Sequence, residues 1–280
     1  MSSATRRAVL RLLPGMAAVT VGLAACGQRQ APADRVARLD ALSLEVSAGF
    51  TSAARAFRIV PQLVLTTDGQ VVTPAPVAEV YPGPLLAPLT TRTLDAAGRE
   101  ALADAVRRSG LATAPAPDLG TPRVADAPTT TLTLTVDGTT SRLVAPALDE
   151  APAHDSALTA EQQARRAALR DLVARLRDLA TTVGAEHLGP QAPYVPEGVW
   201  LRALPAPPGN PADPVQPTVR EWRVPGVDLG TLTRATLVDG AAGAAVLDAL
   251  ADATELTWFR DDAGIHQVLA RPALPGDEAP

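Results

Sequence analysis

The sequence predicts an α+β fold in which antiparallel hairpins form a sheet and helices pack on one face of it. Apolar and polar residues alternate on both sides of two Asp-Gly pairs, Asp68-Gly69 and Asp137-Gly138, a pattern that indicates β-hairpins. Apolar residues repeat at helical spacing after Asp95 and after Thr159. Leu132, Leu134 and Val136 alternate with threonines, so we expect one buried and one solvated sheet face.

The N-terminal element is an apolar run that ends at the only cysteine of the 280 residues. Positive residues precede Leu12–Ala25, and this stretch is shorter than the about 20 apolar residues that span a bilayer. The segment Leu23-Ala24-Ala25-Cys26-Gly27 resembles a bacterial lipobox. The resemblance implies a signal peptide over 1–25 and a mature lipoprotein whose Cys26 carries a diacylglyceryl group, palmitate being a typical acyl chain. The alternative is a secretory signal in which Cys26 is incidental.

The route of export has two interpretations. Thr5-Arg6-Arg7-Ala8-Val9-Leu10-Arg11 resembles the twin-arginine signal, which implies folding before translocation. A general secretory signal that contains paired arginines is the other interpretation, because any such signal needs positive charge. Both routes place the protein on the extracytoplasmic face of the cell membrane, held by its lipid.

The net charge of the chain argues against some classes of binding partner. All 25 basic residues are arginine, and removing residues 1–25 with their three arginines would change the net charge from −5 to −8. An acidic chain without a basic stripe is a poor candidate for binding nucleic acid. With Cys26 acylated, no thiol would remain for a disulfide, so an ordinary apolar core must stabilise the fold.

The next predicted segments are a stalk over 26–41 and an α+β lobe over 42–188 with two Asp-Gly hairpins and two helices. The first strand covers Leu42–Val46, and the hairpins cover 62–73 and 129–144. Asp95 is the predicted N-cap of one helix, which Gly110 ends. The longest helix is predicted over Thr159–Thr182, with a capping box between Thr159 and Gln162.

A proline-rich boundary over 189–217 follows and contains one strand-like patch at Val199–Leu201. The pattern then predicts a smaller α+β lobe over 218–275, with a helix near Ala241–Asp252 and a final hairpin around Asp261–Gly264, and a tail over 276–280. Helix followed by hairpin repeats the earlier order. Two related lobes are therefore one interpretation, although the residues are too dissimilar to establish a duplication.

Several elements of the mature chain resemble those of one family. They are Pro61–Leu65, Asp68–Val72, Tyr81-Pro82-Gly83-Pro84, Leu89, Arg92, Leu94 and Leu269–Pro275. This combination resembles a family of uncharacterised secreted proteins and lipoproteins of actinobacteria, and it covers about Gly49 to Pro275. The resemblance implies no activity and no catalytic residue.

The segment Tyr81-Pro82-Gly83-Pro84 is the candidate partner surface, because prolines hold an extended backbone in one conformation. The alternative is a rigid connection in which Tyr81 and the following leucines belong to the core. We expect the partner to be another envelope protein or a small ligand.

Candidate catalytic residues are few. The sequence contains no Gly-x-Ser-x-Gly, His-Glu-x-x-His or Walker motif, and its histidines are His154, His187 and His266. Asp261, Asp262 and His266 could collect a metal ion at one end of a hairpin, although turns favour Asp in any case. We therefore expect no cofactor, and we predict a membrane-anchored, non-enzymatic binding module. A hydrolase or metal-dependent enzyme that uses scattered carboxylates and His266 is the alternative.

Overall fold

The computed structural model of the chain describes residues 38–152, 154–208, 212–277 and 280. Within them, 12 strands form two sheets and 5 helices accompany the sheets. The strands are β1 Leu39–Ser47, β2 Leu63–Leu65, β3 Gln70–Pro74, β4 Leu89–Thr93, β5 Thr129–Val136, β6 Thr139–Pro146, β7 Ala192–Pro193, β8 Gly198–Pro205, β9 Thr218–Glu221, β10 Thr236–Asp239, β11 Thr257–Asp261 and β12 Gly264–Pro272. The helices are α1 Ala53–Phe57, α2 Ala96–Arg108, α3 Ala160–Arg177, α4 Leu179–Val183 and α5 Gly240–Leu250. No helix among the described residues is both long and apolar enough to cross a membrane.

The first sheet has the strand order β6-β5-β1-β2-β3-β4-β7, and every neighbouring pair in it is antiparallel. β1 lies inside the sheet, where Leu44 is paired with Leu63 of β2 and with Leu132 of β5. The predicted α+β class with antiparallel hairpins is confirmed. β1 begins at Leu39, within the segment predicted as the stalk.

One face of the first sheet is covered by α2, α3 and α4. Leu132 and Leu134 are fully buried there, whereas Thr131 and Thr133 on the opposite face are partly exposed. The leucine and valine core of this layer includes Leu42, Leu44, Leu63, Leu65, Leu102, Val106, Leu132, Leu134, Leu169, Leu172, Val173 and Leu176. The predicted alternation of a buried and a solvated face is therefore correct for β5.

The two Asp-Gly turns differ in geometry. Asp137 and Gly138 have φ angles of 49° and 73°, as a two-residue hairpin loop requires. At the other turn Gly69 has a φ of 88°, and the backbone N–H of Gly69 donates to the Thr66 carbonyl at 3.0 Å. Leu65 pairs with Val71, and the backbone N–H of Thr66 donates to the Gln70 carbonyl at 2.9 Å. The loop therefore contains the three residues 67–69, and the two-residue prediction is wrong at this position.

The predicted helix caps are present. Asp95 accepts a hydrogen bond from the backbone N–H of Gly98 at 2.8 Å. Thr159 and Gln162 form the reciprocal capping box, with bonds of 3.1 and 2.9 Å. The helix predicted to continue to Thr182 is interrupted at Asp178, because this residue leaves helical geometry and caps the short helix α4 with its side chain.

The second sheet has the order β10-β8-β12-β11-β9, and only the β9–β11 pair is parallel among its described neighbours. α5 covers one face of this sheet, where Val246 and Leu250 are fully buried. The Trp222 ring packs edge-on against Phe259 with centroids 5.2 Å apart. The segment predicted as the proline-rich boundary supplies β7 to the first sheet and β8 to the second.

The chain after β12 connects the two sheets, which belong to one compact unit over residues 37–280. Leu274 packs against Val64, Val72 and Leu89 on the side of the first sheet that carries no helix. The Arg271 guanidinium forms an ion pair of 2.7 Å with Asp277, and both side chains are largely buried. The outer face of the first sheet is thus solvated at β5 but covered at β2–β4.

Candidate functional site

The residue predicted to carry the lipid, Cys26, lies outside the described residues, as do the rest of the signal peptide and the stalk up to Ala37. The attachment of this protein to a membrane therefore stays a prediction. The candidate partner surface and the group of Asp261, Asp262 and His266 both lie among the described residues.

The candidate partner surface belongs to a long loop, Ala75–Pro88, which connects β3 to β4. The backbone N–H of Ala75 donates to the Pro88 carbonyl at 2.8 Å and closes the base of the loop. A compact loop whose ends lie this close together is an Ω-loop, a type that frequently carries function. The loop replaces the tight turn that usually joins antiparallel neighbours.

The C-terminal half of this loop is fixed to the second sheet. Leu85 is 3% exposed within the core beneath α5, and its backbone N–H donates to the Ala253 carbonyl at 2.8 Å. The backbone N–H of Glu255 donates to the Gly83 carbonyl at 2.9 Å. The Glu255 carboxylate in turn forms an ion pair of 2.7 Å with Arg58. The segment therefore has a buried anchor and a hydrogen-bonded backbone.

The N-terminal half of the loop presents apolar side chains to solvent. Val77 is 55% exposed, Val80 is 62% exposed and Tyr81 is 69% exposed. Glu79 is the only charged residue of the loop. The alternative in which Tyr81 joins the core is wrong for Tyr81, whereas Leu85 does belong to the core.

Asp261 and His266 form a close pair at the β11–β12 hairpin. His266 Nε2 lies 3.0 Å from Asp261 Oδ1, which also accepts from the backbone N–H groups of Ala263 and Gly264. Asp261 Oδ2 accepts from the backbone N–H of Leu229 at 3.0 Å. Burial opposes ionisation of Asp261, but these hydrogen bonds and the nearby imidazole hold its pKa below the usual value.

All of these hydrogen bonds stabilise the β11–β12 turn and the loop that contains Leu229. Asp262 is exposed and takes no part in the pair. Among residues 38–152, 154–208, 212–277 and 280, no three His, Cys, Asp or Glu side chains are placed to hold a metal ion together. The arrangement of Asp261 and His266 stabilises a turn.

The other two histidines have different surroundings. His187 Nδ1 lies 3.0 Å from Asp95 Oδ2, so this histidine stabilises the carboxylate that caps α2. The hydrogen bond with Asp95 raises the pKa of His187. His154 is exposed, and its neighbour Asp155 accepts from the backbone N–H groups of Arg123 and Ala157, which lower the pKa of Asp155. Neither carboxylate is arranged to activate a nucleophile.

A buried arginine is the polar feature that sequence reasoning missed. Arg166 of α3 is 1% exposed, and its guanidinium donates to the carbonyls of Pro146 and Ala147, each at 2.7 Å. Burial lowers the pKa of Arg166. Its position was detectable, because Arg166 precedes Leu169 and Val173 on the apolar stripe of α3 at helical spacing.

Two open clefts flank the C-terminal segment Ala273–Asp277, and sequence reasoning missed both. One has a volume of about 690 Å³ and lies beside Tyr194 and Leu237. The other has a volume of about 480 Å³ and lies against the threonine-rich face of β5. Both are lined by residues that are distant in sequence.

A comparison of the chain with protein-family models, with curated proteins and with solved structures finds no match in any of the three. The resemblance to secreted actinobacterial proteins accordingly stays a prediction.

Proposed function

We propose that this chain is a lipid-anchored protein of the bacterial cell envelope, and that its folded part is a non-enzymatic module that binds another envelope protein. The observation that carries the binding proposal is the Ala75–Pro88 loop. It exposes Val77, Val80 and Tyr81 while Leu85 holds its second half in the core. The predicted lipidation at Cys26 supplies the location.

The physical argument concerns the entropy of binding. Ordering a mobile loop at an interface costs about 0.5–1.5 kcal/mol for each immobilised side chain, in addition to the backbone cost. The bonds from Leu85 to Ala253 and from Glu255 to Gly83 already order the backbone that directly follows Tyr81. Tyrosine is enriched among residues that dominate binding energy, because its ring buries a large area with two rotatable bonds. An exposed apolar group on a fixed backbone therefore favours a protein partner.

Photo-crosslinking in the producing bacterium tests the binding proposal. Tyr81 is replaced by p-benzoylphenylalanine, and the same amino acid is placed at Phe50, which is 91% exposed, as the control position. We expect one discrete adduct from position 81, and its loss when Val77 and Val80 are both changed to Ser. The captured protein should then bind the purified full chain directly, and more weakly after the Val77→Ser and Val80→Ser changes.

Two results would contradict the binding proposal. One is the absence of an adduct at position 81 when the chain is present at its normal level. The other is an adduct that forms equally at Phe50 and survives the two serine substitutions, since it would report proximity and not recognition.

The anchor has a separate test. With Cys26→Ala the sulfur that would accept the diacylglyceryl group is lost, so we expect the chain to stay unprocessed or to leave the membrane fraction. Cell fractionation and metabolic labelling with radioactive palmitate measure both outcomes. A Cys26→Ala chain that is still processed, labelled and membrane-bound would refute lipidation at this residue.

A further inference from the structure

The larger cleft beside the C-terminal segment is formed by the outermost strands of the two sheets. β7 is the last strand of the first sheet and β10 is the last strand of the second. Pro193 of β7 and Leu237 of β10 both line the cleft, which has a volume of about 690 Å³. An outermost strand is where an extended peptide adds to a sheet through main-chain hydrogen bonds.

The floor and walls of this cleft include exposed apolar side chains. Val195 is 79% exposed and Leu237 is 43% exposed, and both line it. Tyr194 and Pro275 contribute further apolar surface. Burying these groups against a partner is favourable because it removes apolar area from water.

All charges that line the cleft are negative. Asp68, Glu197 and Asp239 are lining residues, and the lining set includes no Arg, Lys or His. None of the ion pairs formed among the described residues involves these three carboxylates. A hydrogen bond from the Thr66 hydroxyl holds the pKa of Asp68 below its usual value, so this carboxylate is ionised at neutral pH.

The pKa of Tyr194 is affected by negative charges near the cleft. Its pKa is raised first by burial, and then by the negative charges of Glu197 and Asp277. Asp277 is already paired with Arg271 and does not line this cleft, whereas Glu197 does line it, so a cationic group placed in the cleft would offset the charge of Glu197.

We propose that this cleft binds an extended peptide segment of a protein partner in which apolar and basic side chains alternate along one face. Leu237 and Asp239 lie two residues apart on β10, so their side chains point to the same side of the strand. A peptide paired with β10 would place one apolar and one basic side chain opposite them. This surface shares no residue with the Ala75–Pro88 loop, so the proposal does not rest on the proposed function.

Fluorescence anisotropy with the purified full chain in detergent tests the proposal. The probe is a labelled octapeptide, Thr-Leu-Thr-Arg-Thr-Leu-Thr-Arg, whose leucine and arginine side chains alternate on one face. The Glu197→Gln and Asp239→Asn double variant removes two carboxylates of the cleft. Asp239 makes no side-chain cap bond to α5, so its replacement leaves that helix intact. The matched control is the Glu150→Gln and Asp262→Asn double variant, which changes two exposed carboxylates outside the lining set.

We expect the double variant in the cleft to weaken binding by about fivefold, with no more than about a twofold change in the control, since each partly exposed charge pair contributes modestly. Citrulline in place of both arginines should weaken binding similarly, and higher salt should weaken binding of the arginine peptide to the unaltered chain. A chain with Val80→Ser and Tyr81→Ser should bind the peptide as the unaltered chain does.

Four results would overturn the proposal. They are equal affinity of the two double variants, equal affinity for a peptide with Glu in place of Arg, and no binding by the unaltered chain up to about 1 mM peptide. The fourth is a dimer of the unaltered chain that the Glu197→Gln and Asp239→Asn changes dissociate, because the occupant would then be a second copy of this protein. Circular dichroism confirms that each variant is folded.

Discussion

Replacing the buried Arg166 by Met should destabilise the fold, because it removes a guanidinium that satisfies buried carbonyl groups. Arg166 is 1% exposed and donates to the carbonyls of Pro146 and Ala147 at 2.7 Å each. Methionine retains most of the aliphatic volume, so the change isolates the polar contribution. Arg166 forms no ion pair among the described residues, although its positive charge contributes to lowering the pKa of Asp155.

The expected magnitude follows from these contacts. The Ala147 carbonyl keeps a second donor, the backbone N–H of Ala151 at 3.1 Å. The carbonyl of Pro146, a partly buried residue, loses a charge-assisted bond, and an acceptor left without a partner costs about 1–3 kcal/mol. Ala147 also has a φ of 48°, in the left-handed region that costs alanine about 1–2 kcal/mol, and the arginine bonds hold this turn. Removing a desolvated charge offsets part of the loss, so we expect about 2 kcal/mol of destabilisation.

Urea unfolding followed by circular dichroism measures the change in the free energy of unfolding. The matched control is Arg175→Met, an exposed arginine of the same helix, for which we expect less than about 0.5 kcal/mol. Arg166→Lys keeps the charge but has one ammonium in place of a fork, so it should lie between the control and Arg166→Met. If Arg166→Met is as stable as the unaltered chain, or equals Arg175→Met, the two carbonyl bonds contribute nothing net and the reasoning is wrong.

Three further predictions concern stability. Gly138→Ala should cost about 1 kcal/mol through its φ of 73° alone, and Gly69→Ala should lower the urea midpoint more, because its new Cβ would lie 2.9 Å from the Leu94 carbonyl oxygen; equal losses would refute the steric argument. The hydrogen bond with Asp95 raises the pKa of His187, so this stabilisation is complete below about pH 6.5 and is lost as pH rises through the raised folded-state pKa. As pH rises above this value, the urea midpoint of His187→Gln should therefore fall less than that of the unaltered chain. Parallel plots of urea midpoint against pH for the two chains would contradict this prediction. Leu274→Ala should destabilise by about 3 kcal/mol, because Leu274 is 7% exposed against the first sheet; a thermal midpoint shift near zero would show that the C-terminal segment is not part of the cooperative unit.

The features that sequence reasoning predicted correctly depend on chemistry within a few residues. The capping box of Thr159 and Gln162, the N-cap at Asp95 and the two-residue turn at Asp137-Gly138 all require only near neighbours. Alternation along β5 indicates its buried face for the same reason. These signals were sufficient for the α+β class and for the antiparallel hairpins.

The errors have two causes, a local side-chain cap that interrupts a helical pattern and a tertiary pairing that creates a strand. Helical spacing continues from α3 to Val183, but the Asp178 side chain bonds to the Thr181 backbone N–H and starts a new helix. β4, Leu89–Thr93, was not predicted at all. It is threonine-rich, and it becomes a strand because β3 supplies a partner for each of its residues.

The candidate surfaces show most clearly why function was harder to predict than fold. Apolar residues in sequence indicate burial, so Tyr81 and Leu85 of one segment have the same local signal, yet Tyr81 is 69% exposed and Leu85 is 3% exposed. The difference arises because Leu85 reaches the core of the second sheet, while Tyr81 extends beyond it. The tertiary packing of this segment against the second sheet therefore decides which of its apolar residues remains available to a partner.

The cleft lined by Asp68, Glu197 and Asp239 shows the same limit of sequence reasoning for charged residues. Asp68 belongs to a hairpin turn, Glu197 directly precedes β8 and Asp239 ends β10, and each alone has the local signal of a loop carboxylate. The edges of the two sheets bring these three carboxylates to the cleft beside Tyr194, and no arginine lines this cleft. Many other carboxylates of the described residues form ion pairs, for example Glu255, Asp252 and Asp277. Exposed carboxylates of one sign attract a cationic group and repel an anionic one, and this reason favours a basic peptide over a neutral one.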